Sequence, residues 1–352
     1  MKNIAVTGYY GTGSSAVLDF LEEYSNVSLA PIEKESADYE HVLFYYAGGL
    51  FDLCNQLMHG NTVMGSDAAI NRFIDSMNRL NDYNYKWYGS YKTMFGDKFL
   101  EITNDFVKRI SVSFAGRNCN HCTGMKLSLP RTIRKTLGLV AHFRLKDPRV
   151  YDYVYDQKKV YLALPYKDEL LFAARNYSKA YMDLFQVKAG SDYRVFDHLI
   201  WPQQVEEYAD FLDSNLKIIV VQRDVRDIYI KNKYLSNKPY FPTEFEDFVD
   251  VYSRIVKKKI VHPSVIVLQF EDLIYNYEQL ENRMEELIGL KSSFHYSKKS
   301  IFNPDSSIEN TQIFRCREEW KEESDQLAKV LPEMVYNFPY ERTPDLRKFF
   351  SR

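Results

Sequence analysis

The feature that most constrains the fold is a glycine-rich loop between a short apolar run and a helical pattern near the N-terminus. Residues 4–7 have the composition of a buried strand, residues 8–13 contain three glycines, and residues 14–24 place apolar side chains at helical spacing. A second apolar run follows at residues 27–30. This order predicts the opening β-α-β unit of a parallel sheet, with the glycine loop at the carboxyl end of the first strand.

The C-terminal third of the chain returns to the same alternation. Residues 216–222 and 265–270 are apolar runs that predict buried strands. Residues 227–234 and 277–288 have helical patterns, and Gly289 is a typical helix stop. Strands separated by helices imply a parallel sheet that binds its ligands outside the carboxyl ends of the strands.

The middle of the chain has a different pattern. Residues 44–144 carry helical periodicity interrupted by patches rich in Asn and Tyr, and residues 161–185 predict one long helix. No stretch has the Pro, Gly and Ser content of a linker. We therefore expect one α/β domain of residues 1–352, in which a central parallel β-sheet is flanked by helices and residues 44–190 form a mostly helical insertion.

Composition narrows the classes of protein that remain. With 45% hydrophobic and 27% charged residues, a chain of 352 residues is long enough to bury a sizeable core. The 46 Lys and Arg nearly balance the 48 Asp and Glu, so no global field attracts nucleic acid or an anionic membrane. Four cysteines favour a reducing compartment, and neither a leader-type nor a membrane-spanning apolar run stands out. We expect a soluble, cytoplasmic protein with no transmembrane segment and no nucleic-acid partner.

The loop is placed as an anion-binding site, because a strand before it and a helix after it direct unpaired backbone N–H groups toward one point. Read as a Walker loop, it has Ser14 where the phosphate-binding lysine belongs, which argues against ATP or GTP chemistry. Read as a dinucleotide loop, it is Gly8-x-x-Gly11-x-Gly13, with Glu33 about twenty residues further on for a ribose hydroxyl. An NAD(P)-dependent oxidoreductase of the Rossmann type therefore stays open as an alternative.

Two motifs downstream favour a third interpretation. The strand at residues 216–222 runs into Arg223-Asp224-Val225-Arg226-Asp227, and the strand at residues 265–270 runs into Glu271-Asp272-Leu273, before a helix that closes on Ile288-Gly289-Leu290. With a loop of the type G-x-x-x-S/T-G-S/T-S/T ahead of them, these motifs resemble the sulfotransferase family. The resemblance reaches from residue 8 to residue 290 and leaves the helical insertion unmatched. It implies a P-loop-like sheet and transfer of a sulfuryl group from the co-substrate 3′-phosphoadenosine 5′-phosphosulfate to an acceptor hydroxyl, without a metal.

The resemblance also implies which residues bind the phosphosulfate end of this co-substrate. The loop positions that match are Gly8, Gly11, Thr12, Gly13, Ser14 and Ser15. The family has Lys or Arg before the S/T-G pair, whereas this chain has Gly11, so either another cation takes its place or the chain is a non-catalytic nucleotide-binding relic of the fold. The candidate substitutes are Lys34, Lys126, Arg131 and Arg315.

The 3′-phosphate of the co-substrate has its own implied residues. By the resemblance, Arg223 binds this phosphate, and a guanidinium suits it because it can donate two parallel hydrogen bonds. Lys231 stands where the family has a serine two helical turns later, and a lysine still offers a positive charge. We expect Arg226 to belong instead to an ion-pair cluster with Asp224 and Asp227.

The general base is less sharply specified. Members of the family that act on glycosaminoglycans and tyrosyl proteins use a glutamate after the second strand, where this chain has Glu33 and Glu35. A carboxylate beside an acceptor hydroxyl can take its proton as the oxygen attacks sulfur. The alternatives are His41 and His198, of which we expect His198 to be a buried structural residue.

The acceptor follows only loosely from these residues. A glutamate base favours a glycan hydroxyl, with the hydroxyl of a sterol or other lipid as the second choice. The aromatic-rich stretch at residues 81–95 suits either, because aromatic rings stack on sugars and line apolar pockets. Cys119 and Cys122 have the spacing of half a metal site, but no second pair accompanies them, so we expect no metal.

Overall fold

The computed structural model describes residues 1–31, 41–59, 61–83, 90–117, 157–256 and 259–349, with single positions between 133 and 144. Its strands are β1 Lys2–Gly8, β2 Val27–Ala30, β3 Val112–Arg117, β4 Gln157–Leu162, β5 Tyr193–Asp197, β6 Lys217–Gln222 and β7 Val265–Gln269. The α-helices up to residue 182 are α1 Ser14–Glu22, α2 Leu50–Met58, α3 Val63–Asp82, α4 Tyr91–Phe95, α5 Lys98–Ile110 and α6 Lys167–Met182. Those after it are α7 Val205–Tyr208, α8 Val225–Ile230, α9 Phe245–Ile255, α10 Asp272–Tyr275, α11 Tyr277–Ile288, α12 Pro304–Ser307, α13 Glu318–Val330 and α14 Leu346–Phe349.

These elements fall into two compact units. Residues 1–41 and 185–352 form the first unit, and residues 42–184 form the second. The second unit spans nearly the same residues as the insertion predicted at 44–190. The sheet that carries the glycine loop belongs entirely to the first unit.

The sheet of the first unit is parallel and has the order β2-β5-β1-β6-β7. The predicted strands are all present, and β2 has the expected bounds. Strand β5, which lies between β1 and β2, was not among the predicted strands. Its five residues include Arg194 and Asp197, so its apolar signal is weak, although Arg194 is 5% exposed. An α/β fold with a parallel sheet flanked by helices is thus confirmed.

The order of the strands marks one place on the sheet edge. The connection from β1 leads to β2 on one side of the sheet, whereas the connection from β6 leads to β7 on the other. Because β1 and β6 are neighbours, a crevice opens between their carboxyl ends, and such switch points are where parallel sheets bind ligands. The glycine loop follows β1, and Arg223 follows β6.

Two helices cover one face of this sheet. Apolar side chains of α1, such as Val17 and Phe20, and of α11, such as Leu280 and Met284, pack in one buried cluster with the strands. Helix α11 has the predicted bounds, and Gly289 ends it at φ 83°. Burial of this apolar surface provides the main stabilisation of the layer and fixes the start of α1 at the sheet edge.

The described part of the second unit contains strands as well as helices. Residues 161–185 do not form one helix, because β4 extends to Leu162 and pairs with β3 in an antiparallel ladder. Pro165 disfavours helical backbone in the residue before it, and α6 begins only at Lys167 with Asp168 and Glu169 in its first turn. Among the residues the structure describes, no helix is long and apolar enough to cross a membrane.

Candidate functional site

The glycine loop turns on two residues with left-handed backbone. Gly11 has φ 81° and Gly13 has φ 85°, conformations that cost a residue with a side chain about 1–2 kcal/mol. Gly13 is also crowded, since a Cβ there would lie 2.7 Å from the ring of Phe270, whereas a Cβ on Gly11 would meet nothing within 4 Å. The loop therefore needs glycine at residue 13 for space and for backbone, and at residue 11 for backbone alone.

Thr12 holds the loop together from inside. Its hydroxyl donates to the carbonyl of Tyr9 at 2.9 Å, its backbone N–H donates to the same oxygen at 3.1 Å, and it is 1% exposed. The resemblance implies that Thr12 is among the groups that bind the co-substrate. In the structure its hydroxyl and its N–H both donate to the carbonyl of Tyr9, so Thr12 stabilises the turn of the loop.

Helix α1 begins at the loop with an open N-terminus. Its N-cap residue is Gly13, which has no side chain to accept from the first turn, while the N–H of Ala16 donates to the carbonyl of Gly13. The first-turn residues Ser14 and Ser15 line a cleft of about 330 Å³ together with Gly8 and Gly11. Backbone N–H groups and the positive end of the helix dipole at such a place favour a bound anion.

Arg223 lies directly against this loop. Its Nη1 donates to the carbonyl of Gly11 at 3.0 Å, its Nη2 donates to the carbonyl of Asn310, and its guanidinium carbon lies 4.9 Å from the centre of the Phe270 ring. The residue is 5% exposed and its Nε is buried without a hydrogen-bond acceptor. A guanidinium that lines a cleft beside an open helix N-terminus is suited to bind phosphate.

Lys231 is the second cation of the cleft. It begins the π-helical turn Lys231–Leu235, which continues α8, and it lines the cleft with Arg223 and the loop. Burial, together with the positive charge of Arg223, lowers the pKa of Lys231 to about 8. Two cations held this close repel each other, and a bound anion between them would relieve that repulsion.

The cleft has a second lobe that the motifs did not indicate. A cavity of about 430 Å³ shares Gly13, Ser15, Arg223 and Lys231 with the first. Its other wall comes from residues 301–310 and includes Ile301, Phe302, Asn303, Ser306, Ser307 and Asn310. The two cations therefore stand where the lobes meet, so a ligand with anionic groups at two separated points can contact them from both sides.

His198 lies at the cleft, contrary to the expectation of a buried structural histidine. It follows β5, its backbone N–H donates to the carbonyl of Val6 in β1 at 2.9 Å, and it has the unusual φ of 50°. Its Nδ1 lies 2.6 Å from the Asp197 carboxylate, and its side chain retains 22% exposure. An imidazole that keeps partial exposure at a cleft can exchange a proton with a bound group.

Aromatic rings cover the mouth of the cleft. Tyr10 stacks on Tyr240 with ring centres 4.5 Å apart, Trp201 lies 5.1 Å from Tyr10, and His198 lies 5.2 Å from Trp201. Tyr240 is 67% exposed and Tyr10 is 44% exposed. The aromatic-rich stretch expected to supply such rings, residues 81–95, lies in part outside the described residues. A Tyr-Tyr pair in the glycine loop was visible in the sequence, but its partners were not.

The charged residues that follow β6 and β7 make different contacts. Arg226 pairs with the Asp224 carboxylate through Nε and Nη2, as expected, while Asp227 accepts from the backbone N–H groups of Gln312 and Ile313. Glu271 accepts from the backbone N–H of Asp224 at 2.9 Å. Burial raises the pKa of Glu271 to about 8 and that of Asp227 to about 7, in both cases against the lowering effect of Arg223. These carboxyl groups stabilise the turn from which Arg223 projects.

The remaining predicted site residues lie elsewhere. Burial, with a smaller effect of charge on His198, lowers the pKa of His41 to about 3, and this fully buried ring packs against Phe185 and Phe196. Arg315 pairs with Glu341 at 2.9 Å and is not among the described residues that line the cleft. The candidates Glu33, Lys34, Glu35, Lys126 and Arg131 lie outside the described residues.

Metal ligands and sequence relatives add nothing to this picture. Within the described part of the chain, no group of three or more His, Cys, Asp or Glu side chains is arranged to hold a metal ion. Cys119 and Cys122 lie outside the described residues, and Cys54 is buried in α2. No protein-family model matches the chain, and a search of curated proteins returns no match. The case for a function therefore depends on the geometry of the cleft.

Proposed function

We propose that the chain is a sulfotransferase with a P-loop-type sheet, which moves a sulfuryl group from 3′-phosphoadenosine 5′-phosphosulfate to an acceptor hydroxyl. The observation that carries the proposal is that the open N-terminus of α1, Arg223 and Lys231 line one cleft at the switch point of the sheet. A nucleotide with phosphate groups at both its 3′ and 5′ positions needs anion sites on two sides, and the two lobes supply them.

The strand order favours this reading over a dinucleotide-binding oxidoreductase. In the Rossmann order 3-2-1-4-5-6, the second strand pairs with the first, and an acidic residue near its end reaches the ribose. Here β5 separates β1 from β2, so the chain after Ala30 leaves the sheet two strands away from the glycine loop. The oxidoreductase interpretation also gives no role to Arg223 and Lys231.

The residues divide the work of the reaction as follows. The N–H groups at Ser14 and Ser15 hold the 5′ phosphosulfate, and Arg223 holds the 3′-phosphate. The acceptor oxygen forms a bond to sulfur as the bridging S–O bond breaks, and the electron pair of that bond leaves with adenosine 3′,5′-bisphosphate. Lys231 adds positive charge near the loop, where Gly11 replaces the basic residue of the sulfotransferase motif.

The acceptor proton needs a base at the same cleft. His198 is the described side chain with the best position for it, because it lies beside the loop and keeps partial exposure. Glu33 and Glu35 remain the alternatives that the sequence suggests. The stacked rings of Tyr10 and Tyr240 at the mouth suit an acceptor with a flat apolar face, such as a sugar ring, and a sterol or other lipid hydroxyl is the second choice.

Nucleotide preference tests the proposal. At a hundred times its dissociation constant, a ligand adds about 2.7 kcal/mol to the free energy of unfolding. We expect adenosine 3′,5′-bisphosphate to raise the melting temperature, whereas NAD and NADP leave it unchanged. Stabilisation by NAD or NADP alone would overturn the proposal in favour of the oxidoreductase.

Activity separates the enzyme from a relic of the fold. Labelled 3′-phosphoadenosine 5′-phosphosulfate, incubated with pooled glycans and lipids, should transfer label to one acceptor class in the wild-type chain. The same assay with Arg223→Ala is the matched control. Nucleotide binding without transfer to any acceptor of a broad panel would favour the relic.

A further inference from the structure

A buried carboxylate far from the phosphate loop ties together the segments that form the second lobe of the cleft. Glu23 follows the last residue of α1, the helix that begins at the loop, and its side chain is fully buried. Residues 295–302 pack against it from the C-terminal part of the chain. The proposed catalytic groups do not touch it.

Among the described residues, every group that contacts the Glu23 carboxylate is a donor or can act as one. One oxygen, Oε1, accepts from the backbone N–H groups of Ile301 and Phe302, both at 3.0 Å. The other, Oε2, accepts from the backbone N–H of Lys299 at 3.0 Å and from the hydroxyl of Tyr277 at 3.3 Å. Three backbone N–H groups within residues 299–302 therefore depend on one acceptor-only side chain.

His295 completes this network from the other side. Its Nε2 lies 2.8 Å from Glu23 and its Nδ1 lies 2.6 Å from Glu281, with all three side chains at or below 7% exposure. The ring therefore lies between two carboxylates and presents one nitrogen to each. Lys298 also contacts Glu281 at 2.7 Å, so positive charge offsets the two buried carboxylates.

The backbone that Glu23 holds continues directly into the wall of the cleft. Ile301 and Phe302 line the second lobe themselves. The chain then passes through α12 to Asn310, whose carbonyl accepts from Arg223. Displacement of residues 299–302 would therefore move the wall of the lobe and the carbonyl that orients the guanidinium.

We infer that Glu23 is a positioning residue, whose buried carboxylate fixes residues 299–302 and thereby sets the wall of the nucleotide lobe and the orientation of Arg223. The role as a nucleotide lobe rests on the proposed function, whereas the hold on the backbone does not. Burial and the negative charge of Glu23 raise the pKa of Tyr277, which keeps its hydroxyl protonated as a donor.

Glu23→Gln is the informative substitution. An amide has nearly the same shape, but its NH₂ group would face either the pair Ile301 and Phe302 or the donors at Lys299 and His295. We expect amide hydrogen exchange of residues 299–302 to accelerate at least tenfold. The dissociation constant for adenosine 3′,5′-bisphosphate should rise about tenfold, while kcat at saturating donor stays close to that of the wild type.

The control is Glu285→Gln, since Glu285 accepts from the hydroxyl of Tyr24 at 3.3 Å, whereas the backbone N–H groups of residues 299, 301 and 302 donate to Glu23. It should leave exchange and affinity unchanged. If the amide variant does not fold, Glu23→Asp takes its place. Aspartate keeps the charge but is one methylene shorter, and its amide exchange and nucleotide affinity are measured in the same way.

Amide exchange and nucleotide affinity distinguish a failure of this inference from a failure of the proposed function. Wild-type exchange rates and wild-type affinity in a folded Glu23 variant would overturn the inference. A wild-type chain that binds no bisphosphate nucleotide would instead defeat the proposed function, and the exchange rates of residues 299–302 would still decide whether Glu23 holds that backbone. A loss confined to kcat would contradict the positioning role.

Discussion

The guanidinium of Arg223 donates to the backbone carbonyl of Gly11 across a distance of 3.0 Å, which links the end of β6 to the turn of the glycine loop. These residues are more than two hundred positions apart in the sequence. Their contact places a buried positive charge beside the open N-terminus of α1, at the crevice between two neighbouring strands. An anion that enters this crevice meets both groups.

Arg223→Ala should weaken binding of adenosine 3′,5′-bisphosphate by about 2–5 kcal/mol, because the phosphate loses a desolvated partner. Isothermal titration calorimetry measures the change. The matched control is Arg254→Ala, an exposed arginine on α9 that pairs with Asp250. Equal affinity of Arg223→Ala and wild type would contradict the assignment of the 3′-phosphate.

Lys231 should make nucleotide affinity depend on pH. Because its pKa is lowered to about 8, the ammonium is present below that pH and is lost above it in the free protein. We expect the dissociation constant to rise between about pH 7.5 and 9.5, since the bound anion favours the protonated lysine. Lys231→Arg should remove this step, because its charge persists over the whole range. A pH profile that is the same in both proteins would exclude Lys231 from the anion site.

His198→Gln should lower the rate of sulfuryl transfer by about 10² to 10⁴ and leave nucleotide affinity near that of the wild type, because only proton removal is lost. Single-turnover kinetics at saturating donor gives the rate. Glu33→Gln and Glu35→Gln are the comparison. Loss of turnover in one of these variants, with full activity in His198→Gln, would move the base to the segment after β2.

The two left-handed glycines should respond differently to substitution. Gly11→Ala should cost about 1–2 kcal/mol of stability, because only its backbone is strained. Gly13→Ala adds a collision with Phe270, and overpacking typically costs a further 1–3 kcal/mol. Urea unfolding of both variants measures the difference. Equal losses would mean that the ring of Phe270 moves aside without cost.

Glu271 should make the stability of the fold depend on pH. Its folded pKa of about 8 lies above the ordinary value of 4.5, so its contribution is present at low pH and is lost as pH rises through about 8. Glu271→Gln imitates the protonated form and should therefore gain stability relative to the wild type between about pH 5 and 8. Urea unfolding at both ends of that range tests this.

A surface carboxylate provides the reference for that measurement. Glu341 is 80% exposed on its side chain, and Glu341→Gln should change stability by a similar small amount at both pH values. If Glu271→Gln behaves in the same way as Glu341→Gln, the carboxyl of Glu271 does not carry the pH dependence.

Local signals in the sequence were sufficient for several elements. The strand, glycine loop and helix at residues 4–24, and the helix Tyr277–Ile288 with its stop at Gly289, followed from apolar spacing and from glycines at turns. The motif after β6 indicated an arginine at the sheet edge and an ion pair for Arg226, and both are present. These features depend on residues close together in the chain, so short-range physics specifies them.

Only the tertiary structure decided what surrounds the loop. Strand β5 has a weak apolar signal, yet it forms because it pairs with β1 on one side and with β2 on the other. This pairing also brings His198, which follows β5, to the cleft. Residues 301–310 and Tyr240 belong to no recognisable motif. They are placed at the site by contacts with distant residues, since Ile301 donates to Glu23 and Tyr240 stacks on Tyr10. Hydrogen bonds and ring contacts between distant residues place these side chains, and no spacing within the sequence encodes such partners. The sequence by itself therefore determined the glycine loop, and the packing of distant segments determined the cleft around it.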